Sequence, residues 1–129
     1  MDGSVFAVTA TAGTLRAAEG VLLRHTWTEE GVVAGPATNG AQLLHLSVAL
    51  CLLNDAYRES ERLGFHLDGV EVAVDGGFDA EWRSTGIRYR ITLDSDATPE
   101  EHARLLAVLH EVAEIPRALR AGTTVTRMG

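Results

Sequence analysis

The chain has 129 residues, 46% of them hydrophobic and 22% charged, with a formal net charge of −7 and one cysteine. That is the size of one ordinary domain, taken here as residues 1–129, and it is too apolar to be disordered. No run reaches the ~18 apolar residues of a membrane span, and one cysteine excludes intrachain disulfides and multi-cysteine zinc clusters.

The opening, MDGSVFAVTA, lacks the basic region and long apolar core of a secretory signal, so a cytoplasmic, soluble domain is expected. All 11 basic residues are arginine. Without lysine there is no P-loop, no lysine Schiff base and no Ser-x-x-Lys nucleophile. The acidic balance, with no arginine run, argues against nucleic acid as a partner.

Ser4 to Thr11 alternates small and apolar residues as a strand does, and Ala12, Gly13 and Thr14 interrupt it. Glu19 to Thr28 reads as a second strand, with Val21, Leu23, His25 and Trp27 on one face. Glu29 to Asn39, punctuated by Gly31, Gly35 and Pro36, reads as loop. From Gly40 to Leu63 the pattern is helical, and Gly64 is placed as a helix-terminating glycine.

Val70, Val72 and Val74 then alternate with polar residues, as do Ile87, Tyr89, Ile91 and Leu93. These predict an antiparallel pair joined around Gly76 to Gly86, with Glu71 and Asp75 facing Arg88 and Arg90 on a solvated side. Thr98, Pro99 and Glu101 form a helix start with a capping box. Leu105, Leu106, Val108, Leu109 and Val112 give that helix its apolar side. A short helical piece from Pro116 to Arg120 ends at Gly122, and Thr123 to Met128 reads as a last strand. The fold class is α+β, in the order β-β-α-β-β-α-α-β.

The segment LLHLSVALCLL (Leu43 to Leu53) is apolar on every helical face, interrupted only by His45 and Ser47. A helix apolar all round must be buried all round. At 1.5 Å per residue this helix is ~36 Å long. A domain of this size has a radius of gyration of ~14 Å, too small to enclose it, so a homodimer is expected.

Cys51 sits mid-helix with Ser47, Val48, Asn54 and Asp55 as same-face neighbours. Two readings stand: a buried thiol acting as a small apolar group, or a reactive one. Asp55 disfavours the thiolate, and an arginine from elsewhere would favour it.

The stretch GPATNGAQLLHLSVALCLLNDAY (Gly35 to Tyr57) resembles the OsmC/Ohr family. There a Thr/Ser-Asn-Pro-Glu-Gln/Glu-Leu-Leu segment leads into an apolar helix carrying the peroxidatic cysteine, and Cys51 falls on it. LHEVAEIPRALRAGTTV (Leu109 to Val125) resembles the family's later segment, where a Cys-Pro pair precedes a short helix and a final strand. The resemblance runs from about Val21 to Val125. It implies an intertwined homodimer with the long helices at its centre, hydroperoxide reduction at Cys51 by an external thiol reductant, and no cofactor.

Three departures bear on that chemistry. Ala113 stands where the family has its second, resolving cysteine, and Glu114 replaces the proline after it. Gly40-Ala41 replaces the Pro-Glu that supplies the family's catalytic carboxylate. Arg16 lies in the loop from which the family draws the arginine that holds its thiolate, outside a clean Gly-Gly-Arg match.

Two other readings use the cleft between subunits: a redox-inactive dimer binding a small apolar ligand, or an enzyme of unrelated chemistry. His45, a polar group on the apolar helix, and Trp82, in a loop where it can cover a cleft, are the ligand-binding candidates. His102 and His110 are eight residues apart, more than two turns, and no HExxH-type spacing exists, so no metal site is expected.

Overall fold

The computed structural model describes residues 4–129. Five strands form one antiparallel sheet: β1 (Val8–Gly13), β2 (Val21–Leu23), β3 (Val32–Gly35), β4 (Gly69–Phe78) and β5 (Ser84–Asp94). Their spatial order is β2-β3-β1-β4-β5. Three helices complete the chain: α1 (Gly40–Leu63), α2 (Pro99–Val112) and α3 (Glu114–Ala121).

Helix α1 has the bounds its sequence predicts, because both ends are chemically specified. The Asn39 side chain accepts from the Gln42 N–H at the start. Gly64 ends the helix at φ 92°, its N–H bonding back to the Ser60 and Glu61 carbonyls. That left-handed conformation is open to glycine at little steric cost. The capping box of α2 is present as read, Thr98 and Glu101 each bonding the other's backbone N–H.

The β4–β5 alternation is also as expected. Val70, Val72 and Val74 are buried, opposite Leu93, Ile91 and Tyr89 respectively. Asp75 pairs in register with Arg88, while Arg90 lies opposite Ala73, diagonal to both acids. Helix α1 packs on β1 and β4, and α2 and α3 pack on α1. Leu52, Leu53, Leu105 and Leu109 are fully buried where these layers meet.

Two local expectations are corrected within this α+β architecture, and the observed order is β-β-β-α-β-β-α-α. The stretch from Glu29 to Asn39, which reads as loop, contains β3, paired with β1 on one side and β2 on the other. Four residues are too few to show a period, yet Val32, Val33 and Ala34 are all buried. The last residues, Thr123 to Met128, form no strand. Val125 and Met128 are separated by three positions, so in a strand they would face opposite ways and bury neither face. They are 97% and 95% exposed.

The second strand is also shorter than Glu19 to Thr28, keeping only Val21–Leu23 at the sheet edge. The first strand is shifted onward to end at Gly13. Gly13 has φ 64°, and a Cβ there would stand 2.1 Å from the Asp68 carbonyl oxygen. That close approach seats the start of β4 against the end of β1.

Candidate active site around Cys51

Cys51 is half-buried and faces the start of α3 rather than the sheet. The α2–α3 junction creates this arrangement. Ala113, fully buried and extended, is both the C-cap of α2 and the N-cap of α3. The turn there aims the first residues of α3 at α1. Pro116 is the third residue of α3, where a missing N–H leaves no helical bond unmade.

The Ile115 N–H donates to Cys51 Sγ at 3.4 Å. Sγ lies 3.6 Å from Glu114 Oε1 and 3.8 Å from Asp55 Oδ2. Arg58 binds both carboxylates, with Nη2 3.3 Å from Asp55 Oδ2 and Nη1 3.1 Å from Glu114 Oε2. Arg58 Nε reaches Glu59 at 2.9 Å, and Arg62 pairs with Glu59 from the far side. The thiol, two carboxyls and one guanidinium therefore form a single cluster on the α1–α3 seam.

The two carboxyls are held apart in acidity. Burial pushes Asp55 up to about 6, its shared hydrogen bond with Glu114 adds to this, and Asn54 and Arg58 oppose it. Glu114 is held at about 2, chiefly by that same bond and then by backbone N–H and Arg58. Carboxyls in contact resist carrying two charges, so as pH falls through about 6 the first proton goes to Asp55, the buried member, which is ionised at neutral pH. Cys51 is raised by burial, and the Asp55 and Glu114 charges raise it too. The backbone N–H groups of Ile115 and Glu114 pull it back down. Placement at a helix start favours a thiolate; here burial and two acids outweigh it.

A mostly apolar cavity of about 260 Å³ lies along the same α1–α3 seam, one helical turn before Cys51, and none of the cluster residues lines it. Its walls include Leu44 and Val48 of α1, Ile87 and Tyr89 of β5, and Pro116 and Leu119 of α3. Val48 is three residues before Cys51, and Pro116 follows the donor Ile115. The donor atoms of Cys51, Asp55 and Glu114 also lie within 4.8 Å of one another, the spacing of a cation site. Arg58 already supplies the positive charge there.

The other residues singled out from sequence lie elsewhere. Arg16 is exposed, and its Nη1 donates to the Glu30 carbonyl at 3.1 Å. His45 is fully buried, its Nδ1 bonded to the Phe6 carbonyl at 2.8 Å. It stacks on Phe78 at 5.9 Å and packs against Gly76, where a Cβ would come within 3.0 Å of Nε2. Trp82 is 67% exposed at φ 63°, leaning on Phe78 and Phe6. His45 and Trp82 thus share one aromatic cluster through Phe78, and neither lines the cavity beside Cys51. Arg58 and Glu114 were not among the candidates. Arg58, two turns after Cys51, was within reach of helical spacing; Glu114 had no local signal.

A long apolar helix packed on a five-stranded antiparallel sheet, with two shorter helices packed on it, defines a small α+β fold. The model of the OsmC-like protein family matches residues 33–127, and the chain belongs to that family. Among solved structures it is similar to an OsmC-like hydroperoxide resistance protein from Jannaschia sp. CCS1, at 15% identity and a TM-score of 0.50. That likeness covers 95% of this chain and 93% of the other, and it is a likeness of fold. No curated protein matches the chain.

Proposed function

We propose that the protein reduces small apolar organic hydroperoxides through Cys51, with an external thiol completing the cycle. The carrying observation is the seating of Sγ between the Ile115 N–H and the Asp55 carboxyl; a mostly apolar cavity one helical turn away, at Val48 and Pro116, supports a small apolar substrate. In the first step Asp55, a base at neutral pH, takes the thiol proton as sulfur attacks the distal peroxide oxygen. The S–O bond forms, the O–O bond breaks, and Asp55 returns the proton to the departing alkoxide. The products are the alcohol and a Cys51 sulfenic acid. Since Cys51 is the only cysteine, two external thiols then reduce the sulfenic acid, releasing water and their own disulfide.

In this reading Arg58 replaces Arg16 as the cation of the site within one chain. His45 and Trp82 pack on Phe78 toward the N-terminal end of α1, away from this chemistry. Leu43 is 54% exposed, and Leu44, Ser47 and Leu50 are only partly covered. This apolar stripe on the central helix supports a homodimer, because leaving it in water is costly and a second copy presents the same stripe. Light scattering at micromolar concentration should give twice the chain mass; a monomeric mass would refute this part.

The chemistry is tested by intact-mass spectrometry after one equivalent of cumene hydroperoxide, with a sulfenic-acid trap. The expected result is rapid, saturable addition of one oxygen that is absent in Cys51→Ser. Oxidation no faster than that of a free thiol would overturn the reading and favour the redox-inactive binder of a small apolar ligand.

A further inference from the structure

All three nitrogens of the Arg58 guanidinium are engaged, each by a different carboxylate. Nη2 and Nη1 hold Asp55 and Glu114, the two acids beside Cys51. Nε donates to Glu59 Oε2 at 2.9 Å, the shortest of the three contacts. Among the described residues the Glu59 side chain bonds only to arginines, Arg58 on one side and Arg62 on the other. The chemistry proposed above gives it no part.

Two features set Glu59 apart from an ordinary surface acid. It is 4% exposed, whereas the side chains of Arg62 and Glu114 are 73% and 60% exposed. A buried carboxylate is costly unless paired, so the Glu59–Arg58 bond is the dry anchor of a network whose other end is wet. The bond also joins adjacent residues of α1, whose side chains leave a helix about 100° apart and do not face each other. The Arg58–Asp55 and Arg62–Glu59 pairs, by contrast, are three residues apart, a spacing that the helix itself brings together. Arg58 therefore bends around the helix to reach Glu59. Because the guanidinium is a rigid planar fork, fixing Nε also fixes where both Nη groups point.

We propose that Glu59 is a positioning residue of the Cys51 site, orienting the Arg58 fork so that one cation holds Asp55 and Glu114 together beside the thiol. Its bearing on catalysis rests on the reading of Asp55 as the base that serves Cys51. Without Glu59, the Arg58 side chain, 34% exposed, keeps an exposed acid and the 3.3 Å contact to Asp55, and it is free to turn into water. Asp55 then loses the cation that favours its charged form.

The test is the pH titration of the Asp55 carboxyl, followed by carbon NMR of the intact protein, in the parent, Glu59→Gln, Glu59→Met and Arg62→Gln. A positioning role and a bare charge effect have opposite signs. Deleting a neighbouring negative charge lowers the Asp55 midpoint, whereas losing the hold of Arg58 raises it. The expected rise from about 6 is about one unit in Glu59→Met. It should be about half that in Glu59→Gln, whose neutral oxygen still accepts from Nε but holds it more weakly. Arg62→Gln removes only the outer partner of Glu59 and should leave the midpoint near that of the parent. A midpoint unmoved or lowered in Glu59→Gln would overturn the proposal, as would an equal rise in Arg62→Gln. Glu59→Gln keeps the shape of the buried side chain, so it decides the matter even where Glu59→Met fails to fold. The pH profile of Cys51 oxidation by cumene hydroperoxide should move upward with Asp55. A parent protein whose Cys51 ignores the peroxide would overturn the peroxidase reading, and the carboxyl titration would still decide the role of Glu59.

Discussion

The two long sides of α1 are built on opposite principles. The side toward the sheet is dry: Leu46, Ala49, Leu52, Leu53 and Ala56 are almost fully buried, and even His45 is closed in by a backbone bond and an aromatic stack. The side toward α3 begins with the same apolar character at Leu44 and Val48. It then turns into a cluster of one thiol, two carboxyls and a guanidinium. The first side makes the helix immovable; the second uses that rigidity to hold four reactive groups within a few ångströms. Stability and chemistry are therefore separable along one helix, and substitutions should divide accordingly.

The largest effect on folding belongs to the sheet side. Leu52→Ala should cost about 2–5 kcal/mol in denaturant unfolding, because the cavity it leaves cannot collapse between a sheet and two helices. The remaining folded protein should oxidise Cys51 at an unchanged rate. A rate that fell with stability would show that the two sides are coupled.

Asp55→Asn sharpens the division. A carboxyl raised by burial binds its proton more tightly in the folded than in the unfolded chain. Its ionisation therefore removes stability as pH rises from about 4 to about 6. The neutral amide escapes that loss, so Asp55→Asn should be more stable than the parent at pH 7, by about 1 kcal/mol. The advantage should disappear below about pH 4. Glu114 has the opposite sign: its stabilising contribution is present above about pH 4.5 and is lost as pH falls toward about 2. Thermal melts across pH 2–7 of the parent, Asp55→Asn and Glu114→Gln check both directions.

A smaller change tests a part of the fold remote from either side. Thr98→Ala removes the cap of α2 and should lower stability by about 1 kcal/mol without altering Cys51 oxidation. Urea midpoints and the oxidation rate together read this out.

How much of this was legible beforehand follows the range of the interactions. Asn39, Gly64, Thr98 and Glu101 announce helix ends because capping acts over three or four residues. The β4–β5 pair was legible because ten residues of alternation fix a face and a register. Strand β3 escaped because four residues show no period, and its burial depends on partners on both sides. Residues 123–128 misled in the other direction, being rich in β-branched residues without one consistent apolar face.

The site divides in the same way. Cys51 and the effect of Asp55 on it could be read from one helical turn. Glu114 and the Ile115 N–H approach from 63 and 64 residues away, through a junction whose direction no local pattern specifies.

The most direct test of the proton-relay account is the rate of Cys51 oxidation by cumene hydroperoxide in the parent and in Asp55→Asn, followed from pH 5 to pH 9. Asp55 acts on Cys51 in two opposed ways. Its charge raises the thiol, so removing it increases the thiolate fraction, yet as a base and acid it serves the reaction itself. If Asp55 carries the proton, the Asn variant should be about a hundredfold slower at pH 7 despite its more acidic thiol. The parent rate should fall as pH drops through about 6. A faster Asn variant, with both rates simply tracking the thiolate, would contradict the account.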